Sequence, residues 1–141
     1  MSTRKASAQW VGTLKEGKGQ MTFSNYDGPY TFASRFEEGK GTNPEELIGA
    51  AQAGCYSMFL SALISEEGLN PSKIETSTEV TLGKDETGPC ITLIKLICTV
   101  SCKDLSQNKF KELAQVAKEK CPISRLYAYG TAKIELDASL I

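Results

Sequence analysis

The sequence predicts an α+β domain with largely antiparallel sheets, in the order β-β-β-α-β-β-α-β. Three observations predict this class. Apolar and polar residues alternate in the first third, a long apolar run at helical spacing follows, and alternating segments return after it. The chain has 141 residues, of which 40% are hydrophobic and 23% charged, which is typical of a globular protein. We therefore expect residues 1–141 to form a single domain.

Three strands are predicted in the first third of the chain. Residues 6–12 alternate between small or apolar and polar side chains. Residues 20–24 and 30–36 flank a loop, 25–29, that is rich in turn-forming residues, and this pattern predicts a hairpin. In the second strand of that hairpin, the aromatic side chains share one face and Arg35 lies on the other.

A long helix is predicted from Asn43 to about Glu67. Asn43 is a favourable N-cap, and Pro44 suits the first helical position. Glu46 stands three residues after the cap and completes a capping box. Gly68 is expected to end the helix.

The apolar residues of this helix cover most of its circumference. One apolar row consists of Leu47, Ala51, Cys55, Met58 and Ala62. Gln52 is the polar exception in the middle of the helix. A helix that is apolar this far round is typical of a buried core helix. A single sheet of this domain is too small to cover the whole helix. We therefore expect a second copy of the chain to help bury the helix.

Four further elements are predicted in the second half. A strand over 73–82 alternates strictly, and a strand over 90–102 is apolar on both faces. A second helix begins near Ser106 and ends at Cys121, which precedes a proline. A last strand over 132–138 alternates again.

Charge and composition exclude several classes of function. The net charge is −1 and the pI is about 5.6, which argues against a nucleic-acid-binding protein. The chain contains no histidine, which excludes Ser-His-Asp and Cys-His catalysis and histidine-ligated metals. We find no targeting signal and no stretch of 18 apolar residues, so we expect no membrane segment and a cytoplasmic location.

The five cysteines fall into two groups. Cys90, Cys98 and Cys102 share one face of a strand and are expected to lie in the core. A metal site is not expected, because no CxxC pair occurs. Cys55 and Cys121 lie on the apolar rows of two helices that face the same core. They are either core residues or a reactive dithiol pair.

Arg35 and Glu45 bracket the start of the long helix and could converge on its apolar row. A guanidinium beside a thiol would stabilise the thiolate, which attacks a peroxide O–O bond and becomes a sulfenic acid. A second thiol then condenses with it to a disulfide. The residues also allow plainer interpretations, namely that Arg35 is a solvated strand residue and that Glu45 and Glu46 stabilise the helix N-terminus.

Three segments carry a resemblance to a known family. They are Gly-Thr-Asn-Pro-Glu-Glu-Leu-Ile-Gly-Ala-Ala at 41–51, Ala-Gly-Cys at 53–55 and Cys-Pro-Ile-Ser at 121–124. Together they resemble the OsmC/Ohr family, and in particular its OsmC (osmotically inducible protein C) branch. The resemblance extends over nearly the whole chain, from Trp10 to the final strand.

The resemblance implies an activity and a set of site residues. It implies a thiol-dependent peroxidase that reduces organic hydroperoxides, and hydrogen peroxide more weakly, to alcohols in oxidative and osmotic stress defence. Cys55 matches the peroxidatic cysteine and Cys121 the resolving cysteine, which form a disulfide. Arg35 matches the arginine that holds the thiolate, and Glu45, rather than Glu46, matches the glutamate that orients it.

The resemblance also implies an assembly and the reactants. Its fold packs antiparallel sheets around a long buried central helix, and two chains form an intertwined homodimer. No metal or organic cofactor is implied, and the reductant is an external dithiol, lipoyl-type in the Ohr branch. Many OsmC-like sequences have His at the position of Gln52 and Ala at that of Gly54. We expect these two departures to affect packing or substrate preference only.

Two other functions remain open. One is a non-enzymatic stress-response dimer that binds an apolar ligand at its interface, which would need no reactive thiol. The other is a redox sensor that signals through the same disulfide and would need a partner surface.

Overall fold

The computed structural model describes residues 1–141, which divide into two compact units, Met1–Leu47 and Ile48–Ile141. Each unit has its own three-stranded sheet. The α+β class and the predicted order of the main strands and helices are confirmed. Two short helices and one parallel strand pair were not predicted.

The first unit is built on an antiparallel sheet in the order β1-β2-β3. Its strands are β1 (Ser7–Val11), β2 (Lys18–Phe23) and β3 (Tyr26–Thr31). The loop predicted over 25–29 is wrong, since β2 and β3 are joined by a two-residue turn at Ser24, which has a φ of 47°. The stacked rings of Phe23 and Tyr26, 4.6 Å apart, start the pairing right after that turn.

The strand predicted over 30–36 ends early, and its second half is a short helix, α1 (Phe32–Phe36). A capping box explains the difference. The Ser34 N–H donates to Thr31 Oγ1 at 3.1 Å, and the Thr31 N–H donates to Ser34 Oγ at 2.8 Å. Arg35 therefore lies in the last turn of a helix rather than on a strand face.

The long helix α2 (Pro44–Glu66) begins as predicted, because the Glu46 N–H donates to Asn43 Oδ1 at 2.8 Å. By length and composition alone it is long and apolar enough to cross a membrane. The core helix of a soluble protein passes the same test.

The second unit contains a long antiparallel hairpin of β4 (Pro71–Asp85) and β5 (Gly88–Cys102). A third strand, β6 (Lys133–Leu140), pairs with β5 in parallel, so this sheet is mixed rather than wholly antiparallel. A parallel neighbour requires a long crossover connection. Here the crossover contains α3 (Gln107–Lys120), capped by Ser106 as predicted, and a second short helix, α4 (Pro122–Tyr127).

The core of the second unit lies between α2, α3 and the inner face of β5. The row of α2 that is buried consists of Gly49, Gln52, Tyr56, Leu60 and Ile64. The predicted apolar row is wrong in part, since Ala51, Met58 and Ala62 are exposed in the chain. Gly49 explains why this face of α2 is buried instead of the predicted one. A Cβ at position 49 would lie 2.5 Å from Thr78 Oγ1, so only glycine lets the helix come this close to β4.

Candidate active site

Cys121 lies at the junction of two helices. It is the C-cap of α3 and also the N-cap of α4, because Pro122 begins the second helix. Its sulfur accepts a hydrogen bond from the Ser124 N–H at 3.4 Å, and its thiol donates to Ser124 Oγ at 3.1 Å. Cys121 is fully buried.

Cys55 lies beside Cys121, so the structure brings together the two cysteines singled out in the sequence. Cys55 packs against the buried core that contains Cys121, and the Cys121 side chain and the Ile123 N–H both act on the pKa of its thiol. Cys55 is partly exposed, and both thiols are free. The pair is therefore a dithiol in which Cys55 is partly exposed and Cys121 is buried.

The surroundings of Cys55 within the second unit oppose ionisation. Burial raises the pKa of the Cys55 thiol, the Ile123 N–H lowers it, and the neighbouring Cys121 raises it further. The net pKa is raised, so these neighbours favour the neutral thiol. A thiolate at neutral pH then needs a positive charge in addition to them.

Arg35 and Glu45 form an ion pair in the first unit. Arg35 donates from Nε to both carboxylate oxygens of Glu45 at 3.2 Å and from Nη2 to Oε1 at 2.7 Å. Glu45 is the more buried partner, with a side-chain exposure of 12% against 35% for Arg35. Glu46 instead accepts from Thr42 Oγ1 at 2.9 Å. The geometry thus selects Glu45 as the residue that fixes the direction of the guanidinium.

An aromatic pocket of about 370 Å³ adjoins Arg35 in the same unit. Its lining includes the rings of Trp10, Tyr30, Phe32 and Phe36. The Arg35 guanidinium lies 5.1 Å from the centre of the Phe36 ring, which is within cation–π range. The pocket can therefore receive an apolar group next to a single positive charge.

Gln52 and Ser124 contact each other beside Cys121, and the sequence assigned no catalytic role to either residue. Gln52, one helical turn before Cys55, is fully buried and donates from Nε2 to Ser124 Oγ at 2.6 Å. Its Oε1 atom has no hydrogen-bond partner. Leaving a buried polar atom unpaired costs about 1–3 kcal/mol. The isolation of Gln52 as a polar residue in an apolar helix was the available signal.

The three remaining cysteines are also free thiols. Cys98 is buried as predicted, whereas Cys90 and Cys102 are only partly buried. Burial raises the pKa of Cys98, although hydrogen bonds with Thr76 and Tyr56 lower it in part. Desolvation and the Asp85 carboxylate raise the pKa of Cys90. Neither environment favours a reactive thiolate. The structure has no group of three or more Cys, Asp or Glu side chains placed to hold a metal ion.

Comparison with known proteins gives a consistent result. The family model described as OsmC-like protein matches residues 37–137. The peroxiredoxin OsmC of Escherichia coli K12 is 43% identical over 142 residues, which cover 97% of this chain and 96% of that protein. Cys55, Cys121 and Glu45 lie within the matched range of the family model, and the match includes residues of both compact units.

Solved structures have the same fold. The organic hydroperoxide resistance protein OhrB of Bacillus subtilis aligns with a TM-score of 0.70 at 28% identity, over 95% of this chain and 97% of that chain. An OsmC-like protein from Mycoplasma pneumoniae aligns with a TM-score of 0.77 at 15% identity, over 99% of this chain and 98% of that chain. The family match, the sequence identity and the shared fold agree, and the chain belongs to the OsmC-like protein family.

Proposed function

We propose that this protein reduces organic hydroperoxides to alcohols through Cys55, with Cys121 as the resolving thiol and an external dithiol as the reductant. The observation that carries the proposal is the reduced pair itself, in which a partly exposed thiol lies beside a buried one. The broader activity, a thiol-dependent hydroperoxide peroxidase, follows from the kinship with the peroxiredoxin OsmC and with OhrB.

The chemistry proceeds in three balanced steps. The Cys55 thiolate attacks the hydroperoxide oxygen that carries the hydrogen, and the O–O bond breaks. The alkoxide leaves and takes up a proton. Cys121 then attacks the Cys55 sulfenic acid, so that an S–S bond forms and the hydroxyl leaves as water with the Cys121 proton. A dithiol reduces this disulfide and is itself oxidised to a disulfide.

Arg35 supplies the positive charge in this proposal. The neighbours of Cys55 in the second unit raise its pKa, so a thiolate at neutral pH requires a cation. The Arg35 guanidinium is held by three hydrogen bonds to Glu45, and the resemblance assigns it this role. The aromatic pocket next to Arg35 suits the organic part of a hydroperoxide better than hydrogen peroxide.

The activity itself is tested by mixing the reduced protein with cumene hydroperoxide and excess dithiothreitol. We expect catalytic consumption, with kcat/KM at least about tenfold higher than for hydrogen peroxide, because the aromatic pocket binds only the organic substrate. Dihydrolipoamide in place of dithiothreitol tests the lipoyl-type reductant. An absence of consumption with every dithiol, combined with slow alkylation of Cys55, would instead favour the apolar-ligand-binding function.

We further propose a homodimer that covers the exposed side of α2. The exposed residues there are small or apolar: Ala50, Ala51, Gly54, Met58 and Ala62. Met58 alone has an exposure of 78%. Small side chains let a second backbone approach closely, and an apolar helix face in water is unfavourable unless it is covered.

Met58→Glu is expected to shift the protein from dimer to monomer, because it places a charge in the apolar face. Light scattering coupled to size-exclusion chromatography measures the mass. Lys73→Glu, which changes an exposed residue of β4, serves as the matched control and should remain dimeric. A wild-type protein that runs as a monomer at micromolar concentration would contradict the dimer. We also propose that this protein, whose chain carries five free cysteines, lies in the reducing cytoplasm.

A further inference from the structure

The sulfur of Cys121 is surrounded by polar groups of one residue, Ser124. The Ser124 N–H donates to this sulfur at 3.4 Å, and the Ser124 hydroxyl lies 3.1 Å from it. Both residues are at most 2% exposed, so solvent water does not replace these contacts. The N–H and hydroxyl of Ser124 are therefore placed to stabilise a negative charge that develops on the Cys121 sulfur.

Gln52 holds the Ser124 hydroxyl from the other side. Its Nε2 donates to Ser124 Oγ at 2.6 Å and occupies one lone pair of that oxygen. In the reduced protein the Cys121 thiol donates to the same oxygen. Once Cys121 is a thiolate, its sulfur can only accept, and the Ser124 hydroxyl can rotate its proton toward the sulfur while Gln52 still donates to the oxygen.

The difference in exposure decides which sulfur leaves when the disulfide is reduced. Cys121 is fully buried, whereas Cys55 is partly exposed, so an external thiolate reaches the Cys55 sulfur. Attack there forms a mixed disulfide with Cys55 and breaks the bond to Cys121. The electron pair of that bond goes to Cys121, which leaves as the thiolate, and leaving-group stability controls the rate of such an exchange.

Building on the proposed peroxidase function, we propose that Ser124 is a further catalytic residue and that Gln52 positions it. Ser124 donates its N–H and its hydroxyl to the Cys121 thiolate, and Gln52 holds the hydroxyl in place. The same donors act twice. They stabilise Cys121 when it attacks the Cys55 sulfenic acid, and they stabilise it again when the reductant expels it.

Ser124→Ala removes the hydroxyl and keeps the backbone N–H. We expect the rate of cumene hydroperoxide reaction with reduced Cys55 to change less than twofold. We expect the step from sulfenic acid to disulfide to slow by about 10- to 100-fold, the usual range for a lost hydrogen bond to a charged group. Rapid quenching, dimedone trapping and mass spectrometry measure both steps, and Cys55 sulfinic acid should accumulate in the variant.

The reduction half is tested without peroxide. Diamide oxidises the reduced protein to the Cys55–Cys121 disulfide, and limiting dithiothreitol then reduces it. We expect Ser124→Ala to slow this reduction by a similar factor and the mixed disulfide to form on Cys55. This arm does not depend on peroxidase activity, so it separates a failure of this inference from a failure of the proposed function.

Three further variants separate catalysis from folding. Ser57 lies on the same helix as Gln52, and Ser57→Ala removes its hydrogen bond to Thr76 Oγ1 of β4 (2.8 Å); this variant is expected to leave both rates unchanged. Gln52→Met keeps the volume but removes the amide, and should slow both steps by a smaller factor than Ser124→Ala. Ser124→Thr keeps the hydroxyl and should restore part of the rate. Equal rates in Ser124→Ala and Ser57→Ala, or a mixed disulfide on Cys121, would overturn the inference.

Discussion

Cys55→Ser is expected to reduce the consumption of cumene hydroperoxide by at least about a thousandfold, since a serine hydroxyl is not ionised near neutral pH and is a poor nucleophile. The change replaces one sulfur by oxygen at a partly exposed position, so the fold should persist. The rate of hydroperoxide loss with excess dithiothreitol, together with the circular dichroism spectrum, measures both expectations.

The matched control for this variant is Cys90→Ser, which changes another partly exposed cysteine outside the dithiol pair. It should retain the full rate. If Cys55→Ser kept more than about a tenth of the wild-type rate, the loss would be too small for removal of the nucleophile, and the assignment of Cys55 would be wrong.

Arg35→Met is expected to lower kcat/KM for cumene hydroperoxide by about a hundredfold, the usual loss when a charged group that stabilises an anion is removed. Burial and Cys121 already raise the pKa of Cys55, and removal of the cation should raise it further. The pH profile of iodoacetamide alkylation of Cys55 should therefore move to higher pH. The fraction of thiolate at neutral pH falls as the pKa rises.

Glu45→Gln provides a graded comparison for the same role. It removes the charge that aligns the guanidinium but leaves Arg35 in place, so we expect a smaller loss, about tenfold. Arg4→Met removes an exposed arginine of the same unit and should change neither the rate nor the alkylation profile. An unchanged profile in Arg35→Met would show that another group supplies the charge.

The periodicity of apolar residues predicted most strands and helices of the fold. It did not predict how every strand pairs or which face of every helix is buried. Residues 132–138 alternate as a strand should, yet alternation carries no information on which neighbour the strand joins, and β6 pairs with β5 in parallel. The aromatic alternation after Tyr30 resembled a strand, while the Thr31–Ser34 capping box starts α1. In α2 the apolar residues surround the helix, so periodicity alone could not select the buried face.

The sequence predicted those parts of the candidate site that short sequence patterns indicate. The placement of one cysteine on each of two helices facing one core allowed Cys55 and Cys121 to meet, and the ten-residue spacing allowed Arg35 to reach Glu45. The bond from Gln52 to Ser124 joins residues 72 positions apart. No local pattern signals such a contact. The expectation that Gln52 affects packing or substrate preference came from the family resemblance and stays a prediction.

The most direct test of the account is a non-reducing peptide map, by mass spectrometry, after one equivalent of cumene hydroperoxide is added to the reduced protein. The account predicts a single new disulfide between Cys55 and Cys121, with Cys90, Cys98 and Cys102 still carrying free thiols. Thiols that all remain unmodified, or a disulfide that joins any other pair, would contradict it.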